Sequence, residues 1–183
     1  MKKFELTTEC RVFLGRKLFR IKALVDFGNV KAGELGGWVE KEGNVSHGGN
    51  AWVYDNARVY GKAEVCDNAW VYGNARVCGN AWVCGNAWVY DNARVYGNAD
   101  YTTIKGFGTE FRNTTFFKCK DGTVKVSCGC FLGTIPEFRE QVKRTREGKI
   151  AKEYLMIADL MEYHFSNADE EEAERALKGG GQE

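Results

Sequence analysis

Three series of side chains able to carry chemistry recur at a common spacing of eighteen residues: Arg58, Arg76 and Arg94; Trp52, Trp70 and Trp88; Tyr54, Tyr72 and Tyr90. Guanidinium forks bind phosphate and aromatic rings stack on bases, so together they suit a nucleotide or single-stranded nucleic acid. They also suit plainer duties. The rings could be covered by the chain's own helices or by a neighbouring subunit, and the arginines could solvate a face or pair with carboxylates such as those between Asp169 and Glu174. Other reactive residues are sparse. His47 is the one candidate general base near the repeats, although a lone loop histidine is more often structural, and His164 reads as a helix-surface residue. Cys119, Cys128 and Cys130 could approach one another across a hairpin, but their spacing matches no Cys-x-x-Cys pair. Cys66, Cys78 and Cys84 stand where tyrosine stands in other repeats and read as small fillers; Asp55, Asp67 and Asp91 read as turn residues. No metal and no cofactor is expected.

A hexapeptide would position these residues. From Val53 to Val95 a valine recurs every six residues, in units such as Gly73-Asn74-Ala75-Arg76-Val77-Cys78. Gly/Asp-Asn makes a two-residue corner, and the next four residues make a strand whose alanine and valine share one face. An antiparallel meander would put each valine on the face of an arginine or tryptophan, whereas a solenoid keeps every alanine and valine inside. Three strands per coil gives an eighteen-residue turn. It sorts the residues before the valines into Trp52/Trp70/Trp88, Arg58/Arg76/Arg94 and Glu64/Trp82/Asp100. The expectation is a triangular prism of three full coils rising about 4.8 Å per coil. Its tryptophan and tyrosine columns would form one flat aromatic sheet that something must cover.

The flanks have their own patterns. Residues 1–36 contain a hairpin around Gly15-Arg16, expected to plug the open end of a solenoid spanning 37–112, with a bulged corner at Ser46-His47-Gly48-Gly49. Asp121-Gly122 marks a β-hairpin within 113–131. Thr134 and Glu137 open a helical hairpin spanning 132–168, and 169–183 reads as an acidic, glycine-rich disordered tail. The formal charge of +1 means that any attraction to nucleic acid or an anionic bilayer must be local. No apolar run approaches the roughly 20 residues of a membrane helix. Met1 to Thr8 lacks a secretory pattern, and seven cysteines is an odd count, so a soluble cytoplasmic protein with reduced thiols is expected.

The hexapeptide resembles that of left-handed parallel β-helices, the scaffold of many acyltransferases and of the γ-class carbonic anhydrases. The stretch from Ile21 to Glu40, with Gly36-Gly37-Trp38-Val39, followed by Asn50-Ala51-Trp52-Val53-Tyr54-Asp55, is similar to the opening of bacterial and phage-encoded hexapeptide-repeat proteins often labelled acyltransferases. Lys120-Asp121-Gly122 through Ser127-Cys128-Gly129-Cys130-Phe131, with Gly133-Thr134 opening a helix, resembles the C-terminal module of phage and prophage members. The resemblance implies a left-handed parallel β-helix and a homo-oligomer, trimer or dimer. Carbonic anhydrase chemistry needs three histidines on zinc, and this chain has two. Acyltransferases of this kind use one histidine as base with acyl-coenzyme A along the prism, and His47 would be that base. The expected function is a non-enzymatic binding protein for a nucleotide-like ligand or host protein in the host cytoplasm, serving counter-defence, with acyl transfer as the alternative.

Overall fold

The computed structural model describes residues 1–166; the acidic run and the glycine-rich ending lie outside the described residues. The chain divides into a unit of residues 1–134 and a second that starts at Ile135. In the first, β1 (Phe4–Phe13) and β2 (Arg16–Ala23) form an antiparallel hairpin, and β3 (Leu35–Val39) begins the solenoid. Eight short strands follow: β4 (Trp52–Val53), β5 (Arg58–Val59), β6 (Glu64–Val65), β7 (Trp70–Val71), β8 (Arg76–Val77), β9 (Trp82–Val83), β10 (Trp88–Val89) and β11 (Arg94–Val95).

From β4 on, every third strand pairs in parallel, and β3 pairs in parallel with β5, which builds a β-solenoid of three walls. One wall runs β3-β5-β8-β11, the second β4-β7-β10 and the third β6-β9, the last extended by a bridge from Val45 to Val65. Its registers are those of an eighteen-residue turn: Arg58 beside Arg76, Arg76 beside Arg94, Trp52 beside Trp70 and Trp70 beside Trp88. The interior is almost wholly alanine and valine, fully buried, because a narrow prism admits only small and branched side chains. Each buried valine contributes about 1.5–3 kcal/mol. The corners turn through left-handed residues: Asp55, Asp67 and Asp91 have φ near 50–58°. A second ladder runs along one corner, where the Asn50 amide donates to Asn68 at 3.0 Å and the Asn68 amide to Asn86 at 3.2 Å.

Both ends are closed by pairing. β2 joins β3 antiparallel, so the hairpin extends the arginine wall past its first rung while Phe4, Ile21 and Ala23 enter the core. At the other end the repeat stops earlier than the sequence suggested. Asn98–Asp100 makes a 3-10 turn in which the Asp100 carboxylate accepts from the Tyr96 and Gly97 amides, so Asp100 does not join the Glu64–Trp82 column. The cause is that the valine due at 101 is Tyr101. From there β12 (Tyr101–Phe107), β13 (Arg112–Lys118), β14 (Val124–Cys128) and β15 (Phe131–Thr134) form a four-stranded antiparallel meander, not an isolated hairpin. Thr115 and Tyr101 hydroxyls accept the Trp88 and Cys84 amides of the last coil.

The second unit contains α1 (Ile135–Thr145) and α2 (Gly148–Phe165). Phe138 meets Tyr154 edge-on at 5.7 Å, and Arg139 pairs with Asp159 and Glu162 at 2.7 Å each. His164 is exposed near the end of α2. Among the described residues no helix is long and apolar enough to cross a membrane.

Candidate functional site

The arginine wall concentrates positive charge. Arg58 and Arg76 are half-buried and Arg94 is 7% exposed, all on consecutive rungs of one sheet. Beyond Leu6 a register shift in β1 curls the hairpin, and its tip folds over this wall. Phe13 lies 4.6 Å from the Cζ atoms of both Arg58 and Arg76, and Leu18 packs with Trp38, Tyr60 and Cys78 in a cluster outside the prism. The same fold brings in two arginines that sequence periodicity missed. Arg11 stacks on Trp38 at 3.4 Å to the ring centre and Arg20 approaches the same ring at 5.4 Å.

Little neutralises these charges. Arg94 donates to the carbonyls of Asn74 and Ala93, and Arg20 reaches Glu9 only at 3.9 Å. Glu40, at the end of the wall's first strand, is committed to Arg16 and to the Gly61 amide. Among the described residues no carboxylate forms an ion pair with Arg11, Arg58, Arg76 or Arg94, and the Nε atoms of Arg11, Arg20, Arg58 and Arg76 are buried without a partner. Burial and then the neighbouring Arg76 and Arg94 charges hold Arg58 below the usual guanidinium range; burial and then Arg58 do the same to Arg11.

The aromatic series occupies a different wall and is not one flat sheet. Trp52 is fully buried, closed over by Phe4 at 5.9 Å and Phe27 at 5.3 Å, and so is removed from any ligand surface. Trp70 stacks on Trp88 at 5.6 Å and Tyr72 on Tyr90 at 4.5 Å, both nearly parallel. Tyr90 also meets Phe117 of the meander. What stays open is a shallow depression of about 400 Å³ bordered by Tyr54, Trp70, Tyr72 and Trp88, with Glu34 and Asp55 at its edge. Burial pushes the Tyr54 phenol up to about 12. The corner after Tyr54, Tyr72 and Tyr90 separates this wall from the arginine wall, so the two series lie on different faces of the prism.

His47 is held on both ring nitrogens. Nδ1 accepts the Lys3 amide at 3.1 Å, which leaves Nε2 as the donor to Glu42 at 2.7 Å, and the ring stacks on Phe4 at 4.4 Å. A base so engaged has no free lone pair for a substrate proton. Beside it, and invisible to sequence reasoning, Lys3 is buried with Nζ directed at the carbonyls of Gly48, Gly49 and Ala51, and burial lowers its pKa to about 8. The cysteines scatter. Cys119 sits in the solenoid core, Cys128 accepts the Thr114 hydroxyl at 3.2 Å, and Cys130 is exposed. Cys66 and Cys84 are instead adjacent, and burial pushes the Cys66 thiol up to about 12.

A family model described as the YdcK beta solenoid repeat matches residues 69–85 and 87–99. A curated protein of Escherichia coli strain K12, named as the uncharacterized acetyltransferase YdcK, is 39% identical over 74 residues. The match covers 36% of this chain and 23% of that relative, so the chain spans under a quarter of the relative's length. The structure is that of a β-solenoid, and residues 69–85 and 87–99 within it are similar to the YdcK repeat.

Proposed function

We propose that the protein is a non-enzymatic β-solenoid that binds a phosphate-bearing, nucleotide-like ligand on its arginine wall. One observation carries the reading: Arg11, Arg58 and Arg76 crowd together with buried, unpartnered Nε donors and no counter-ion among the described residues. Guanidinium groups one rung apart repel unless an anion lies between them, and the fork geometry favours phosphate or carboxylate oxygens. Phe13, partly exposed beside Arg58 and Arg76, supplies apolar area next to the charges, which suits an anion attached to a base better than a bare ion. Sequestering a host nucleotide signal is the biological use we assign to such a surface, in keeping with the phage resemblance. Homo-oligomer contact is assigned to the open Trp70–Trp88 face.

Thermal unfolding with ATP, a short oligonucleotide and inorganic polyphosphate tests the reading. At least one should raise the melting temperature, the shift should weaken with salt, and Arg76→Glu should abolish most of it. No shift with any of the three, or an unchanged shift in Arg76→Glu, overturns it. The name of the relative supports a second reading, acyl transfer from acyl-coenzyme A. It requires His47 to release the Lys3 amide or Glu42 and act as the base, and coenzyme A binding that depends on His47 would favour it over the first.

A further inference from the structure

The third wall carries a feature that the anion reading does not use. β6 and β9 pair in parallel with Val65 beside Val83, so the next residues, Cys66 and Cys84, lie one rung apart on the outside of the prism. The tyrosine slot elsewhere holds phenols or a single thiol between phenols; this wall places two thiols on consecutive rungs. Asp67 follows Cys66 at the corner in a left-handed conformation, φ 56°, and its Oδ2 accepts the Gly85 amide at 3.0 Å, which fixes the carboxylate over the next rung. As a result Cys66 Sγ, Cys84 Sγ and a carboxylate oxygen of Asp67 lie within 4.8 Å of one another. The thiols are half-buried and the carboxylate is exposed. A polar depression of about 250 Å³, lined by Cys84, Asn98, Tyr101, Thr102 and Thr103, opens beside them. Tyr101 is locked there, its hydroxyl donating to the Trp82 carbonyl at 2.7 Å and accepting the Cys84 amide at 3.3 Å.

We propose that Cys66, Cys84 and Asp67 form a binding site for a thiophilic divalent cation of the zinc type, with its fourth position open to water from the adjoining depression. Two thiolates exclude magnesium and calcium, which take oxygen ligands, and select zinc-like ions. Tetrahedral zinc takes sulfur at about 2.3 Å and carboxylate oxygen at about 2.0–2.2 Å, which requires the donors to draw together by about 1 Å through side-chain rotation, without movement of the rungs. Binding converts two thiols to thiolates, and both protons leave to solvent.

The test is a titration of the reduced full chain, freed of metal by a chelator, with cadmium as a spectroscopic probe. One equivalent per chain should give the ultraviolet thiolate-to-cadmium band and release about two protons. Cys84→Ser and Cys66→Ser should each remove that band. Asp67→Asn keeps a residue suited to the left-handed corner and should weaken binding at least tenfold. Cys130→Ser, which removes an exposed thiol elsewhere, should change nothing. Circular dichroism of each variant verifies the fold. Absence of the band in the wild-type protein, its persistence in Cys84→Ser, or its loss in Cys130→Ser would overturn the site. Arg76→Glu leaves this titration unaltered, so failure of the anion reading and failure of the metal site are separable.

Discussion

Replacing Arg76 with glutamine should make the ligand-free protein more stable by about 1 kcal/mol at low salt. Arg76 is the middle rung, paired in register with Arg58 on one side and Arg94 on the other. The Cζ atoms of Arg58 and Arg76 each lie 4.6 Å from the Phe13 ring centre, so they are at most about 9 Å apart. Two unit charges at about 9 Å repel by about 0.5 kcal/mol in the dielectric of water and about 2 kcal/mol at an effective value of about 20. Half exposure places the value toward the lower end, and Arg94 adds a second repulsion of the same sign. The variant forfeits one cation–π contact with Phe13, worth about 0.5–1 kcal/mol at a solvated site. Repulsion from two neighbours exceeds that loss. Urea unfolding at low and high ionic strength reads the result. The advantage of the variant should shrink by more than half as the Debye length falls from about 30 Å at 0.01 M salt to about 3 Å at 1 M. A variant less stable than the parent at low salt, or an advantage indifferent to salt, would show that the ladder carries no unbalanced charge and needs no anion.

The buried Lys3 gives a pH signature. Its pKa is about 8 in the fold against 10.5 unfolded, so between those values the unfolded chain holds more protons and folding gains stability as pH rises. The stability of the wild type relative to Lys3→Met should therefore improve by about 1–3 kcal/mol from pH 7 to 10, read by urea unfolding; the comparison cancels the raised thiols and phenols that weaken both proteins in that range. A flat difference refutes the burial argument. His47→Ala should cost about 1–3 kcal/mol, because it strands the Lys3 amide and removes the stack on Phe4, while leaving nucleotide binding on the arginine wall unchanged; lost binding in a folded variant would point back to acyl transfer or a role at the site. Trp88→Ala, at a ring 39% exposed, should leave the monomer fold intact and convert an oligomer to monomer in native mass spectrometry; an unchanged oligomer places the subunit contact elsewhere.

The prism interior was legible because a solenoid repeats one environment at every rung: the alanine and valine columns report the same narrow space each time, and the period appears without knowledge of any distant contact. The outside was less legible because its cover is not periodic. Phe4 and Phe27 reach Trp52 from the N-terminal segment, and Phe13 reaches Arg58 and Arg76, through a hairpin whose bend follows from an irregularity between Leu6 and Cys10. No spacing rule encodes that bend. The end of the coil, by contrast, is written in the sequence, where Tyr101 stands six residues after Val95 in the valine position.

The same non-periodic hairpin decides the character of both outer faces. It takes Trp52 out of the aromatic column by covering it, and it adds Arg11 and Arg20 to the arginine column, each resting on Trp38. A cover whose only task was to bury apolar surface has no use for two more cations beside three that already repel one another. Apolar residues at positions 11 and 20 would cover Trp38 as well and without the desolvation that depresses Arg11. Placing arginine there raises the electrostatic cost of the ligand-free state, and a bound anion would return it, which is the energetic behaviour that the proposed binding surface requires.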